Sequence, residues 1–423
     1  MIKSALPIND RKREMIRNLS YFMVLVFVTI LESGCAVHPS VIPEPAFSES
    51  PYRELDSLKE GTILHLPTGI EVTKEQMFRV LSGARVIYVG ETHTNIKDHQ
   101  VELEILKGLA ERFPGQVAVG MEMFQRPSQK QLDRWSRGEL DEKVFMEEWF
   151  ANWDQSYNYY RDILRYVRDH KIPLVALNAR EGLVRTVMEK GTDGLSDELK
   201  EELPEMDRTD PYHRSSLVAV FGGHAHGKQG FERFYQTMLI WDETMAQSAA
   251  DYLSSPEGKI KKMVVFTGGF HVNYAFGVPK RVFRRLPEPY MIILPYTSVI
   301  PEDRKRILMD VQPVSIPLYL ADFIWAVGYE DLEDQFVHLG VQIEGTEKGV
   351  TVLRVMPDST ALRAGILEGD IILSFDGQSL AKPFDLTHLM SFKQAGDRAS
   401  LRILRGGQTI DLEANFSTNL KAQ

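Results

Sequence analysis

The chain repeats one unit, a short apolar run followed by a segment with helical spacing, and this repeat restricts its fold more than any other feature. The apolar runs suit buried strands because they are short and bounded by turn residues. They lie at 86–89, 117–121, 173–177, 263–267 and 290–294. Strands that alternate with helices form parallel sheets with right-handed crossovers. The sequence therefore predicts an α/β domain with a mostly parallel central sheet and helices on both faces.

Two of the predicted strands end in the same kind of polar turn. Gly90-Glu91-Thr92-His93 follows the first strand, and Gly268-Gly269-Phe270-His271 follows the fourth. Each turn places a histidine three residues after a glycine, and glycine lets the backbone approach a ligand closely. Since ligands bind at the carboxyl ends of the strands in open α/β sheets, we expect the two turns to form one site.

Glu122 ends the second predicted strand, and we expect it beside Glu91, His93 and His271. Two imidazoles and two carboxylates are compatible with a metal site, a general acid/base pair or a polar floor for a cofactor. They are also compatible with side chains that only hydrogen-bond the neighbouring loops. The residues alone leave these alternatives open.

The N-terminus has the features of an export signal. Basic residues precede an apolar stretch at 21–31, which is shorter than the ~20 residues that span a bilayer. Residues 1–34 are therefore predicted to be a signal peptide that starts at Met1 or Met15. The stretch is followed by Cys35, the single cysteine of the chain, so no intramolecular disulfide is expected.

The small residues before Cys35 resemble a bacterial lipobox, in which the cysteine is lipidated and becomes the mature N-terminus. Glu32 departs from that pattern. The resemblance implies a lipoprotein of the bacterial outer membrane that faces the periplasm and contacts the membrane only through its lipid. Residues 35–57, rich in Pro and Ser, would then be a tether. The alternative is an uncleaved signal anchor with an incidental thiol.

The net charge of the chain argues against one class of partner. The formal net charge of −10 disfavours nucleic acid, which would select a basic surface.

Three segments differ from the repeating strand–helix unit. Residues 191–230 interrupt the alternation of strands and helices and are expected to be an irregular insertion or lid. Residues 301–330 are predicted to be a linker. Residues 331–418 contain short alternating segments and two helical signals, which are typical of a small β-rich domain.

Several motifs of the first domain are similar to those of the ChaN-type haem-binding lipoproteins, whose superfamily also contains the Tiki and TraB proteins and the erythromycin esterases. They occur in the family's order: Gly90-Glu91-Thr92-His93, Met121-Glu122-Met123-Phe124, Ala176-Leu177-Asn178, Trp241-Asp242-Glu243-Thr244-Met245-Ala246 and Gly268-Gly269-Phe270-His271. The resemblance implies a haem-binding α/β domain over residues 58–300, with a cleft at the strand ends and a role in haem or iron uptake.

The resemblance also implies where haem would bind. Attachment would be non-covalent, since the chain has no Cys-x-x-Cys-His, and the protein would supply an axial ligand and an apolar pocket. The ligand is left open, with Tyr274 as a candidate phenolate. Asn178 and Arg180 are candidate contacts to the haem propionates, although Arg180 is equally compatible with a surface charge at a helix start. The residues expected at the cofactor are Glu91, His93, Glu122, Asn178, Arg180, Asp242, His271 and Tyr274.

Some members of the superfamily are hydrolases, so a second function stays open. In a Tiki-like metal-dependent hydrolase or peptidase, Glu91, His93 and His271 would hold a divalent metal, and Glu122 would activate its water. A third hypothesis is a non-catalytic envelope scaffold. We favour haem binding without catalysis.

The C-terminal domain resembles PDZ domains of the bacterial periplasmic type. The motifs are Leu339-Gly340-Val341-Gln342, Ala364-Gly365-Ile366-Leu367-Glu368-Gly369-Asp370-Ile371-Ile372 and Asp376-Gly377. Such domains add an extended peptide to a sheet edge and hold its carboxylate with backbone N–H groups. We therefore expect Leu339, Gly340 and Val341 to bind a peptide or protein partner. The alternative is a PDZ fold that serves as an intramolecular docking piece.

Overall fold

The computed structural model describes residues 54–221, 227–301, 318–332, 337–347 and 349–416. The predicted signal peptide, Cys35 and most of the predicted tether lie outside these ranges. From residue 55 onward, the described chain forms one compact unit that contains two sheets. Within the described ranges, we find no helix with the length and apolar character needed to cross a membrane.

The first sheet has eight strands in the described part of the chain. They are β1 (Ile63–His65), β2 (Ile70–Val72), β3 (Val86–Glu91), β4 (Val117–Gln125), β5 (Leu174–Asn178), β6 (Lys262–Gly268), β7 (Tyr290–Tyr296) and β8 (Phe323–Ala326). Their order is β2-β1-β8-β7-β3-β6-β4-β5. The strands from β8 to β5 pair in parallel, and the β1–β2 hairpin joins β8 antiparallel. The predicted mostly parallel sheet is confirmed.

Helices cover both faces of this sheet, as the sequence predicts. They are α1 (Lys74–Leu81), α2 (Ile96–Arg112), α3 (Gln129–Ser136), α4 (Glu142–Asn152), α5 (Tyr157–Asp169), α6 (Glu181–Lys190), α7 (Asp197–Glu201), α8 (Pro211–Phe221), α9 (Gly227–Ser254) and α10 (Val278–Arg285). Helix α1 begins at Thr73, whose side chain and that of Gln76 cap the first turn reciprocally.

Strand β3 is buried along its whole length because it contributes to two cores. Side chains alternate between the faces of a strand. Ile87 and Val89 pack in the core that contains α2 and its residue Ile105, and Tyr88 packs in the opposite core beside Met245 of α9. This central position fixes the end of β3, where Glu91 lies, within the interior of the domain.

Two segments differ from their predicted structure. Residues 191–230 contain α7, α8 and the start of α9 rather than an irregular insertion. Strand β8 lies within residues 301–330, which were expected to form a linker, so the first sheet continues past residue 300. All four residues of β8 are buried between β1 and β7. A run this short carries too little periodicity for a sequence pattern to identify it.

The second sheet belongs to the predicted small β-rich domain, which is confirmed. Its strands are β9 (Val341–Thr346), β10 (Gly349–Val355), β11 (Ile371–Phe375), β12 (Gln378–Ser379), β13 (Arg398–Arg405) and β14 (Gln408–Asn415), with helices α11 (Thr360–Ala364) and α12 (Pro383–Met390). The domain has its own core around Val350, Ile372 and Phe375. Strand β9 is an edge strand among the strands described.

Helix α12 of the second domain packs beside α4 and α5 of the first. The ammonium group of Lys143 lies 2.6 Å from a carboxylate oxygen of Asp385, and Lys382 pairs with Glu147. The Arg161 guanidinium lies 4.9 Å from the centre of the Phe392 ring. The second domain therefore contacts the same helix, α4, whose C-terminal end reaches the strand-end cleft described below.

Candidate functional site

A cleft of about 1380 Å³ lies at the carboxyl ends of the parallel strands. Residues at the carboxyl ends of β3, β4, β5 and β6 form its floor, and the end of α4 and one side of α9 form its walls. Its aromatic lining includes Phe150, Trp153, Phe234, Trp241, Phe270 and Tyr296. Pockets for single small ligands usually measure roughly 300–1,000 Å³. The cleft is therefore large enough for a flat, extended organic molecule.

At the end of β3, one carboxylate organises the turn. Glu91 Oε1 lies 2.8 Å from His93 Nδ1 and accepts a hydrogen bond of 2.7 Å from the Tyr160 hydroxyl. The Glu91 side chain is fully buried, whereas a third of the His93 side chain is exposed. The rings of His93 and Trp153 meet in a T-shaped arrangement with a centroid distance of 5.0 Å. Glu91 thus fixes the ring of His93 at the surface of the cleft.

Two glycines make this turn possible. A Cβ atom on Gly90 would lie 2.5 Å from Leu294 Cδ2 and 2.7 Å from Val272 Cγ2, so only glycine fits there. A Cβ atom on Gly268 would lie 3.1 Å from His93 Nε2. Nε2 forms no hydrogen bond with the residues that the structure describes. The absence of a side chain at Gly268 therefore keeps this nitrogen uncovered.

The end of β4 meets the second turn. Glu122 Oε2 accepts hydrogen bonds from the Gly268 amide at 2.7 Å and the Thr267 hydroxyl at 2.6 Å. Glu122 Oε1 lies 3.4 Å from His271 Nε2, and His271 Nδ1 lies 2.6 Å from Asp242 Oδ1. His271 is therefore enclosed by a carboxylate on each ring nitrogen.

The chain of contacts continues inward from Asp242. Its second oxygen, Oδ2, lies 2.9 Å from Nε2 of His213, a buried residue of α8. His213 Nδ1 accepts a hydrogen bond from Arg281 Nη2 at 3.0 Å, so the proton of a neutral His213 ring lies on Nε2 and is donated to Asp242. Arg281 is also buried and pairs with Glu243. His271 thus forms the cleft end of a buried network of charged and hydrogen-bonded side chains.

This network sets the protonation of the cleft residues. Burial alone would lower the pKa of His271, but the charges of Glu122 and Asp242 raise it to about 10. Burial alone would raise the pKa of Glu122, but the positive charge of His271 and its hydrogen bond lower it to about 2. At neutral pH, His271 is therefore a cation held between two anions.

The remaining predicted residues lie in different places. Asn178 lines the cleft, where its amide nitrogen donates to the carbonyl oxygen of Glu122 at 3.0 Å. Asp242 lies behind His271 and is fully buried. Arg180 forms an exposed pair with Glu202, and its side chain is outside the cleft lining. The structure thus brings Glu91, His93, Glu122, Asn178 and His271 together at one surface.

Tyr274 also lies outside the cleft lining. Its backbone has a φ of 55°, its amide donates to the carbonyl of Leu320, and its ring stacks on Phe276. Burial raises the pKa of its phenol. Its position outside the lining therefore disfavours it as a ligand in the cleft.

Sequence reasoning missed three buried residues of the site: His99, His213 and Arg281. His99 had a readable signal, because it lies with Glu102, Leu106 and Leu109 on one helical face of α2, and polar residues on an apolar face indicate a buried polar contact. His213 had none, since it lies in the segment predicted to be irregular.

The residues predicted to bind a peptide lie at an edge of the second sheet, among the strands that the structure describes. Leu339 is buried and Gly340 has a φ of 78° just before β9. A Cβ atom on Gly340 would lie 2.3 Å from Ser359 Cβ, so this loop also requires glycine. Val341 begins β9, which pairs with β10 on one side and faces α12 on the other. This groove between an edge strand and a helix is the form that accepts an added peptide strand.

Two family models match separate parts of the chain. Residues 77–282 match the family model for "Haem-binding uptake, Tiki superfamily, ChaN", and residues 337–416 match the model for the PDZ domain. A solved structure titled "Cofacial heme binding to ChaN of Campylobacter jejuni" is 16% identical, with a TM-score of 0.48; the similarity covers 65% of this chain and 98% of that one.

Two curated relatives share parts of the chain. The protein RETICULATA-RELATED 5 of Arabidopsis thaliana, a chloroplast protein, is 25% identical over 63% of this chain and 37% of its own length. The periplasmic pH-dependent serine endoprotease DegQ of Escherichia coli is 23% identical over 48% of this chain and 39% of its own length. The chain thus spans about two fifths of each relative. Residues 77–282 form a domain of the ChaN family of haem-binding uptake proteins in the Tiki superfamily, and residues 337–416 form a PDZ domain.

Proposed function

We propose that the chain binds haem non-covalently in the strand-end cleft and that its PDZ domain binds a peptide or protein partner. The observation that carries the proposal is a histidine with one free ring nitrogen in a large aromatic cleft. A haem site needs an axial ligand and apolar walls, and the cleft offers both in His93 and its aromatic lining.

His93 is the residue best suited to bind the iron. Its Nδ1 is held by a buried carboxylate, and its Nε2 forms no hydrogen bond with the described residues. Histidines that ligate metals commonly have this arrangement, in which a carboxylate orients the ring through the other nitrogen. His271 is less suited because both of its nitrogens face carboxylates. Bound haem would supply iron for transfer or storage, and these residues would hold it without catalysing a reaction.

Arg233 is the cleft residue best suited to a propionate. It lines the wall formed by α9, and its Nη1 donates to the carbonyl oxygen of Glu189 at 2.8 Å. A guanidinium held in this way by one nitrogen keeps other N–H groups for a carboxylate. We therefore assign the propionate contact to Arg233. The sequence had suggested Arg180 for this contact, but Arg180 is paired with Glu202 at the surface.

The biological setting that we propose follows from the N-terminal sequence. A lipid on Cys35 would anchor the protein to the outer membrane, facing the periplasm, as part of haem or iron uptake. The PDZ domain would recruit an extended peptide segment through β9 and the loop at Leu339 to Val341. Globomycin treatment of expressing cells tests the anchor, because blocked processing of a lipoprotein precursor shifts its gel mobility, and Cys35→Ala should remove the shift.

A haem titration of the purified soluble form, residues 54–423, tests the proposal directly. We expect a shifted Soret band that saturates at micromolar haem, with a fixed number of haems per chain. Haem should also protect the cleft tryptophans Trp153 and Trp241 from acrylamide quenching. The absence of a Soret shift, together with stoichiometric zinc or manganese that depends on His93 and His271, would overturn it in favour of a hydrolase.

The hydrolase is a second candidate because His93 and Glu122 approach one point. That point is where a Cβ atom on Gly268 would lie, 3.1 Å from His93 Nε2 and 3.7 Å from Glu122 Oε2. A metal held by Glu91, His93 and His271 would lie near an ionised carboxylate able to activate its water. The arrangement fits this role less well than haem binding, because Glu122 and Asp242 occupy both nitrogens of His271.

A further inference from the structure

We propose that Glu91, His99 and Glu102 form a second site, beneath the floor of the cleft, that binds one divalent metal ion of the Zn²⁺ or Mn²⁺ class. The site lies inside the domain between β3 and α2. It differs from the cleft metal site considered above, since it uses neither His93 nor His271. It does not depend on haem binding.

Three ligand atoms converge there. His99 Nδ1 lies 2.8 Å from Glu91 Oε2 and 2.8 Å from Glu102 Oε2. One ligand atom from each residue lies within 4.8 Å of those of the other two. All three residues are buried, with exposed fractions of 6% for Glu91, 3% for His99 and 0% for Glu102. Such closeness of two carboxylates in the protein interior requires a positive charge or a proton between them.

The orientation of His99 selects the nitrogen that faces the carboxylates. Its Nε2 lies 3.1 Å from the carbonyl oxygen of His93. A carbonyl oxygen only accepts, so Nε2 carries a proton and donates it. Nδ1 is then the nitrogen that points at Glu91 and Glu102. An imidazole that donates one N–H to a backbone carbonyl while its other nitrogen faces anionic ligands is the usual arrangement at protein metal sites.

Two carboxylate oxygens of the cluster have unused acceptor capacity. Glu91 Oε2 and Glu102 Oε1 are buried and accept no hydrogen bond from any residue that the structure describes. A buried acceptor without a donor costs free energy of about 1–3 kcal/mol. A proton on Nδ1 satisfies one oxygen of Glu102 and leaves these two. A cation bound by both carboxylates would satisfy them together.

The size and chemistry of the cluster suit a small divalent ion. Zinc binds nitrogen and oxygen at roughly 2.0–2.2 Å, so ligand atoms that share one ion stand about 3.0–3.5 Å apart. The two distances of 2.8 Å would open by a few tenths of an ångström, within reach of the glutamate side chains. Imidazole with carboxylates suits zinc, iron and manganese. The ion would also fix Glu91, whose other oxygen orients His93.

Metal content and thermal melting of the haem-free soluble chain test this proposal. The protein is stripped with a chelator, dialysed, and titrated with ZnCl₂ or MnCl₂. We expect one ion per chain by elemental analysis and a rise in the melting temperature that saturates with the added metal, since a ligand of the native state stabilises it. A stripped protein that takes up no stoichiometric ion, and melts at the same temperature with and without metal, would overturn the proposal.

Glu102→Gln distinguishes a metal ion bound by the cluster from a proton shared between its carboxylates. The amide keeps the shape of a neutral carboxyl group but removes the anionic ligand, so we expect the metal-dependent rise in melting temperature to disappear. Glu104→Gln is the matched control, because Glu104 lies on the same helix in an exposed pair with Lys74 and should leave metal binding unchanged. Equal metal uptake by Glu102→Gln and the unchanged chain would contradict the proposal.

His271→Asn locates the ion. We expect this variant to bind the metal as the unchanged chain does, because His271 contacts Glu122 and Asp242 rather than the buried cluster. Loss of metal in His271→Asn with retention in Glu102→Gln would place the ion in the cleft and overturn the buried site. Neither outcome affects the haem titration, which is read from the Soret band.

Discussion

The two Gly-x-x-His turns are alike in sequence, yet the structure gives their histidines opposite surroundings. After β3, His93 has a carboxylate on Nδ1 only and keeps Nε2 uncovered at the cleft. After β6, His271 has a carboxylate on each nitrogen. The difference comes from β4, which places Glu122 Oε1 3.4 Å from Nε2 of His271, whereas no described residue forms a hydrogen bond with Nε2 of His93. One motif thus supplies a potential iron ligand at one strand end and a fixed cation at the other.

The largest expected effect follows from removing the charge that holds His271. Asp242→Asn removes one of the two carboxylates that flank the cationic His271 and leaves a single acceptor oxygen for both His271 and His213, so we expect the free energy of unfolding to fall by about 3–5 kcal/mol. Urea unfolding followed by circular dichroism measures this loss.

Asp251→Asn is the control for this change, because Asp251 lies on the exposed side of the same helix. It should change the free energy of unfolding by less than about 0.5 kcal/mol. If the two variants are equally stable, the buried network does not hold the His271 end of the cleft as we describe.

The second expected effect is a pH dependence of the free energy of unfolding that comes from His271. Its pKa is about 10 in the folded state against 6.5 for the free side chain. Because the folded value is the higher one, the stabilisation is complete below about pH 6.5 and is lost as the pH rises to 10. Each unit of the difference is worth about 1.4 kcal/mol.

The measurement compares urea unfolding of the unchanged chain with that of His271→Asn at several values between pH 6 and pH 10. The difference between their free energies of unfolding should shrink as the pH rises, since only the unchanged chain loses this proton. A difference that stays constant over that range would show that His271 is not held as a cation.

The smallest expected effect concerns the two arginines near the cleft. Arg233→Ala should weaken haem binding about three- to tenfold, because it removes the guanidinium that lines the α9 wall. Arg180→Ala should leave the affinity unchanged, since Arg180 pairs with Glu202 at the surface. Titrations at equal ionic strength compare the two, and a loss at Arg180 alone would reverse their assignments.

The sequence was sufficient for the parts of the fold that depend on local patterns. Apolar runs and helical spacing predicted the parallel sheet, and the turns after β3 and β6 were correctly placed at one edge because parallel strands end together.

The parts that depend on contacts between distant segments could not be predicted. Strand β8 is too short to have a period of its own and is defined by its pairing with β1 and β7. His213 reaches Asp242 only because α8 packs against α9. The different roles of His93 and His271 likewise depend on which carboxylate reaches each ring, which no spacing within either motif reveals.

The absorbance spectrum of ferric haem bound to His93→Ala, compared with the unchanged chain and with Tyr274→Phe, tests the central claim most directly. We predict that His93→Ala weakens haem binding tenfold or more, about 1.4 kcal/mol, and changes the Soret and charge-transfer bands, since the proposed iron ligand is lost. Tyr274→Phe should match the unchanged chain in both respects. An unaltered spectrum and affinity in His93→Ala, with loss in Tyr274→Phe, would contradict the account.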